Sequence, residues 1–208
     1  MGKVSYKNPK EADKKVKKIR DTLNGVISEM AKNASSFVVN PEKDFTRKRT
    51  LTFGRMLKII LGMGGQSLNK ELVDYFKETE GFATKSAFVQ QRDKILPESF
   101  KYLLHRFNEL SFDDKTYEGY YLYACDGTSV NVPLNPANQE THVNRSKNYG
   151  GFNQYHVNTL YDLLNKTYVD AVIQGVHAVD EPRATIAMIN SLQPKERPLL
   201  SATEVMQP

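Results

Sequence analysis

Apolar residues fall at steps of three and four through Val16, Ile19, Leu23, Val26, Ile27 and Met30, which predicts an amphipathic helix from about Lys10 to Asn33. Its other face is largely lysine. The stretch "NPEKDFTRKRT" breaks the period at Pro41 and predicts a loop that carries Arg47, Lys48 and Arg49 as a compact cationic cluster. Residues 54–110 then read as a string of short helices. Met56, Leu57, Ile60 and Leu61 stripe the first, and "GMGG" stops it. Ser67 is placed to cap a second helix bearing Leu68, Leu72 and Phe76. Thr84 is placed to cap a third, with Phe88 and Ile95 inward and Lys85, Gln90, Gln91, Arg92 and Lys94 outward. Pro97 opens the last, whose Phe100, Leu103, Leu104, Phe107 and Leu110 form an i, i+3, i+4, i+7 stripe.

After the polar linker "SFDDKTYEG" the period shortens. "YYLYAC", "YHVNTLYDLL" and "TYVDAVIQGV" have the composition and length of strands, the last two joined by a tight turn at Asn165-Lys166. "EPRATIAMINSL" returns to helical spacing through Ile186, Ile189 and Leu192. Helices first, then a three-stranded meander, then a helix predict an α+β or α/β chain. Its parts are a helical region over 1–110, a strand-bearing region over 117–196 and a divergent tail over 197–208. Within "YLYACDGTSVNVP", Asp126-Gly127 is a strong hairpin signal, because both residues accept the positive φ of a type I′ turn. A hairpin would pair "YLYAC" with "SVNVP". Pro133 and Pro136 shorten that second run, however, and "YHVNTLYDLL" is the better partner.

The net charge of +5 is unevenly spread: residues 1–60 hold 15 Lys/Arg against 6 Asp/Glu, and the remaining residues 14 against 18. Polyanion contact is therefore expected in the N-terminal part, although a solvated helix face accounts for charge alone equally well. Helix, glycine-containing turn and helix around 67–95 follow the pattern of a helix-turn-helix reader. Lys85, Gln91 and Arg92 would then face the groove, and Arg47, Lys48 and Arg49 the phosphates. The single cysteine, Cys125, excludes an internal disulfide and a cysteine-based zinc site. The four histidines, at 105, 142, 156 and 177, lack short metal-ligand spacing and read as packing or surface residues. No P-loop or Ser-His-Asp arrangement can be assembled, and no apolar run approaches the roughly 18 residues that cross a bilayer. A cytoplasmic protein without a membrane partner or small-molecule substrate is the expectation.

The strand ending in "CDGTS", the segment "NYGGFNQYHVNTLYDLLNKTYVDAVIQ" and the acidic-start helix "DEPRATIAMINSL" together resemble the DDE transposases of bacterial insertion sequences, over residues 119 to about 196. The resemblance implies a helical DNA-binding region followed by the first part of an RNase H-like fold, a three-stranded meander plus helix. It implies Asp126 as the first catalytic carboxylate and a ligand of Mg2+, and DNA as partner, both transposon ends and target, in the bacterial nucleoid. Full-length relatives cleave and join DNA with two such cations, which activate the attacking oxygen and stabilise the leaving one. Arg145 and Lys147, in the linker after the first strand, would lie near the scissile phosphate, an ordinary polar loop being the alternative.

The family's second Asp and its Glu have no counterpart, since "RPLLSATEVMQP" offers neither that Asp nor a strand to carry it. Asp162, Asp170 and Asp180 precede the helix and read as exposed strand or loop carboxylates. A truncated transposase, inactive alone, is thus expected, with a bare edge on its first strand that invites self-association. The rival is a non-catalytic DNA-binding protein or inhibitor derived from a transposase.

Overall fold

The helical period of the first half and the strand alternation of the second produce two separate units, Met1–Ser111 and Phe112–Pro208. The computed structural model describes residues 9–47, 49–77, 79, 81–111, 115–144, 150–192 and 197–202. Among the described residues there are six α-helices and a mixed sheet, an α+β composition. No helix among them is long and apolar enough to cross a membrane.

Unit 1 contains α1 (Pro9–Lys32), a 3-10 turn (Ala34–Phe37), α2 (Phe53–Gly62), α3 (Leu68–Lys77), α4 (Lys85–Arg92) and α5 (Glu98–Ser111). Three of the helices, α2, α3 and α4, start at a hydroxyl that satisfies an otherwise orphaned N–H. Thr52 Oγ1 accepts from Arg55 N at 3.3 Å, Ser67 Oγ from Lys70 N at 3.4 Å and Thr84 Oγ1 from Ala87 N at 3.2 Å. Val26, Ile27 and Met30 of α1 meet Phe53, Met56, Leu57 and Ile59 of α2 in a core that also takes in Leu72, Phe88, Ile95 and Leu103. Helices α1 and α2 approach closely at Gly54, where a Cβ would just reach van der Waals contact, 3.4 Å from Ala31 Cβ and Ile27 Cγ2. Phe53, Met56, Leu57 and Ile59 form the buried face of α2 and Leu61 is exposed, which corrects the expected stripe. Val16, expected on the inner stripe of α1, is likewise exposed.

Unit 2 contains β1 (Tyr121–Val132), β2 (His142–Val143), β3 (Phe152–Asp162), β4 (Thr167–Gly175), α6 (Glu181–Asn190) and β5 (Pro198–Ala202). β1 pairs antiparallel with β3, from Tyr123 opposite Asp162 to Val132 opposite Asn153. β4 lies antiparallel on the far side of β3, with β2 beside the start of the same strand. The meander is therefore present, and β1 runs straight through Asp126-Gly127 without a hairpin, to end at Val132. "PLLSA", expected to carry no strand, forms β5 and pairs parallel with β1, from Tyr121 opposite Pro198 to Cys125 opposite Ala202. The edge of β1 is thus covered over Tyr121–Cys125. Five residues with one aliphatic pair carry almost no alternation of their own, and the open side of β1 supplies the template.

α6 covers one face of this sheet. Tyr123, Leu160 and Met188 are buried together there, with Cys125, Val172 and Leu200 packed around them. Asp180 caps α6 by accepting from Arg183 N at 2.9 Å. Ala184 and Met188 face inward and Ile186 is exposed, against the expected stripe. Asp162 and Asp170, expected to be exposed, are buried, because each carboxylate has local donors that replace water. Asp162 Oδ1 accepts from Leu164 N at 2.9 Å and Asn165 N at 2.8 Å and so builds the β3–β4 turn. Asp170 accepts from Ala171 N at 2.8 Å and from Ser191 Oγ at 2.7 Å, tying β4 to the end of α6.

Candidate nucleic-acid interface and the sheet carboxylate

The loop predicted from Pro41 folds around a buried carboxylate. Asp44 Oδ2 accepts from Asn40 N at 3.0 Å and from Asn40 Nδ2 at 3.3 Å, closing a tight turn, while its Oδ1 lies 3.8 Å from Lys94 Nζ. Phe45 follows with φ of 55°, a conformation costly for a bulky residue, and its ring packs edge-on against Phe53 at 5.6 Å. The end of α4 is fixed to the same region. Val39 N donates to Lys94 O at 2.9 Å and Leu96 N to Phe37 O at 3.0 Å, in a short antiparallel bridge.

Between this loop and α4 lies a concavity of about 240 Å3, lined by Glu42, Lys43, Phe45, Thr46, Arg47, Arg49, Leu51, Gln91 and Lys94. Four cationic side chains and one carboxylate line it, and with the charge of Asp44 beside Lys94 also counted an excess of two positive charges remains. The fold therefore brings together Arg47, Arg49 and Gln91, which the sequence singled out from two separate segments, and adds Lys43 and Lys94. A fixed cationic concavity of this kind concentrates field on an anion and holds phosphate oxygens through charge-assisted hydrogen bonds.

The remaining predicted contacts are placed differently. Arg92 turns to its neighbour, its Nη2 3.0 Å from Asp93 Oδ1, and Lys85 is exposed at the first position of α4. Residues 78–84 join α3 to α4, a longer connection than the turn of about three to four residues in a compact helix-turn-helix. Lys48, Arg145 and Lys147 lie outside the described residues.

Asp126 stands in the middle of β1, exposed, with Oδ1 accepting from the next N–H, Gly127, at 2.9 Å. Cys125 meets Thr185 of α6 at 3.1 Å, so strand alternation puts Asp126 on the opposite, uncovered face. Its partner on β3 is Thr159, and the partner of Thr159 on β4 is Ala171. Along β1 its face continues through Ala124 and Thr128. None of these is a carboxylate, and among the described residues no group of three His, Cys, Asp or Glu side chains is placed to hold a metal ion. A pair of Mg2+ ions bridged by carboxylates does not fit this surrounding.

On the α6 face a second polar cluster, not evident from the sequence, surrounds Gly127. His156 and Asn158 alternate along β3 and so share that face, and Glu181 reaches them from the first turn of α6. The recoverable signal was the pair of polar residues two apart in "YHVN"; Glu181 joins them only through the packing of α6. Comparison with protein-family models, with curated proteins and with solved structures returned no match for this chain.

Proposed function

We propose that this chain is a DNA-binding protein of the insertion-sequence DDE transposase type, which grips the DNA backbone in the cleft of unit 1 and does not cleave DNA by itself. The observation that carries this reading is the convergence of Lys43, Arg47, Arg49 and Lys94, with Gln91, around one concavity. Guanidinium groups match phosphate geometry through two parallel hydrogen bonds, and lysines add point charge. Gln91 contributes a neutral donor and acceptor able to meet a base edge or sugar.

The sheet supports the transposase type. Three antiparallel strands, a crossover helix and a strand returning parallel beside the first give the order β4-β3-β1-β5, the order expected of an RNase H-like sheet. Transposon ends and target DNA are the partners this reading assigns. Asp126 is the family's first carboxylate by sequence position, and a lone carboxylate cannot organise two cations.

The test is fluorescence anisotropy of a labelled duplex with the 208-residue chain at low salt, beside a nicking assay with and without Mg2+. Binding without nicking is expected. Asp126→Ala should leave the affinity unchanged and alter stability by less than about 0.5 kcal/mol, because the side chain is exposed and its bond is to the adjacent N–H. No binding at low salt contradicts the proposal, and so does Mg2+-dependent nicking that Asp126→Ala removes.

A further inference from the structure

We infer that His156, Asn158 and Glu181 form a binding site for one divalent transition-metal ion on the α6 face of the sheet, over Gly127. The argument starts from which atoms face each other. A Cβ on Gly127 would meet His156 Nε2 at 2.6 Å, Glu181 Oε1 at 2.9 Å and Asn158 Oδ1 at 3.0 Å, so three heteroatoms, two from β3 and one from α6, converge on one small region over β1. Asn158 is 1% exposed, and both its Oδ1 and His156 Nε2 are buried without a hydrogen-bond partner.

The amide orientation of Asn158 follows from its neighbours. Asp180 N donates to Gln174 Oε1 at 3.2 Å, and Gln174 Nε2 donates to Asp180 O at 3.3 Å, which fixes the oxygen end of Gln174. That oxygen also accepts from Asn158 Nδ2 at 3.0 Å. Asn158 must therefore turn its oxygen, an acceptor, toward Gly127. Glu181 brings a carboxylate, also an acceptor. Its Oε1 is 3.0 Å from His156 Nε2 but off the direction of a ring N–H, and a single N–H could not serve Glu181 and Asn158 together.

Two oxygen acceptors and an imidazole nitrogen that converge on one point are an arrangement that a single divalent cation satisfies at once. An imidazole nitrogen and two oxygens suit a borderline divalent ion such as Zn2+, whereas Mg2+ prefers oxygen alone. Donors about 2.1 Å from such an ion stand on the order of 3.0 Å apart at right angles and about 3.4 Å at the tetrahedral angle of Zn2+, so His156 and Glu181, 3.0 Å apart, need to open by only a few tenths of an ångström. The absence of a side chain at Gly127 lets the three polar atoms close in over the strand, and solvent can complete the coordination because the Glu181 side chain is 58% exposed. The site lies on the opposite sheet face from Asp126 and does not rest on the DNA-binding reading.

The test uses the tag-free 208-residue chain, titrated with Zn2+ by calorimetry and with Co2+ by visible absorption. One ion per chain is expected, with a Co2+ d–d band and no response to Mg2+. Glu181→Gln, at an exposed position that leaves the fold intact by circular dichroism, should weaken Zn2+ at least about tenfold, and His156→Ala more. Asp126→Ala should leave Zn2+ affinity unchanged, which separates this site from the catalytic position of the family. Absence of stoichiometric Zn2+ binding overturns the inference, as does Zn2+ affinity equal in the wild type, Glu181→Gln and His156→Ala.

Discussion

Replacing Arg47 and Arg49 together by Glu is expected to weaken duplex DNA binding at low salt by about a hundredfold, uniformly across DNA sequences. Both guanidinium groups line the unit 1 cleft beside Lys43, Lys94 and Gln91. Two reversals remove two cations and add two anions, turning the excess of positive charge in the lining into an excess of negative charge. Both residues are exposed, and neither contributes to the buried core, so unfolding should not change measurably. Arg92→Glu is the matched control, since its guanidinium is already engaged with Asp93. A double variant that binds like the wild type would contradict the proposed role of this cleft.

Leu160→Ala should destabilise the chain by about 3 kcal/mol, measured by chemical denaturation, through lost transfer energy and the cavity left behind. Leu160 is fully buried on β3, and with Tyr123 and Met188 it makes up the buried core beneath α6. A core of so few side chains has little capacity to repack, and the loss is a large part of the stability of an ordinary domain. Ile186→Ala, on the exposed side of α6, should fall within about 0.5 kcal/mol of the wild type. Equal effects of the two substitutions would contradict the placement of α6 on the sheet.

The helices of unit 1 were legible because each carries its own start signal and several turns of apolar period. Thr84 and Ser67 cap where the residue types place them, and Phe88 and Leu72 bury as their spacing requires. The phase of a single stripe was less legible, as Ile59 against Leu61 shows, because a ten-residue helix contains too few turns to separate adjacent phases. The partner of β1, "YHVNTLYDLL", was legible, but the strand's length was not: Ser129–Val132 continues β1 and pairs with β3, so the prolines end the strand without weakening this run. β5 was not legible either, because its pairing is dictated by a strand about 77 residues earlier in the chain.

Burial of Asp162 and Asp170 also escaped the sequence, since a carboxylate enters a core only when nearby N–H and O–H groups receive it, and those donors are set by the turn and by Ser191. The cationic loop was visible as a run of charge, but its concavity was not. It arises when Asp44 folds the loop and the bridge between Val38 and Ile95 brings Gln91 and Lys94 beside it. The same distinction separates Gly127 as a turn signal from Gly127 as the space among His156, Asn158 and Glu181, which strand register creates.

The most direct measurement of the central claim is the dependence of duplex affinity on salt for the wild type and for Arg49→Ala. If the cleft is the DNA contact, the logarithm of the association constant falls linearly with the logarithm of salt, with a slope of about −3 to −4 from its cations, and Arg49→Ala reduces that slope by about one. A slope near zero, or one that Arg49→Ala leaves unchanged, would contradict the account.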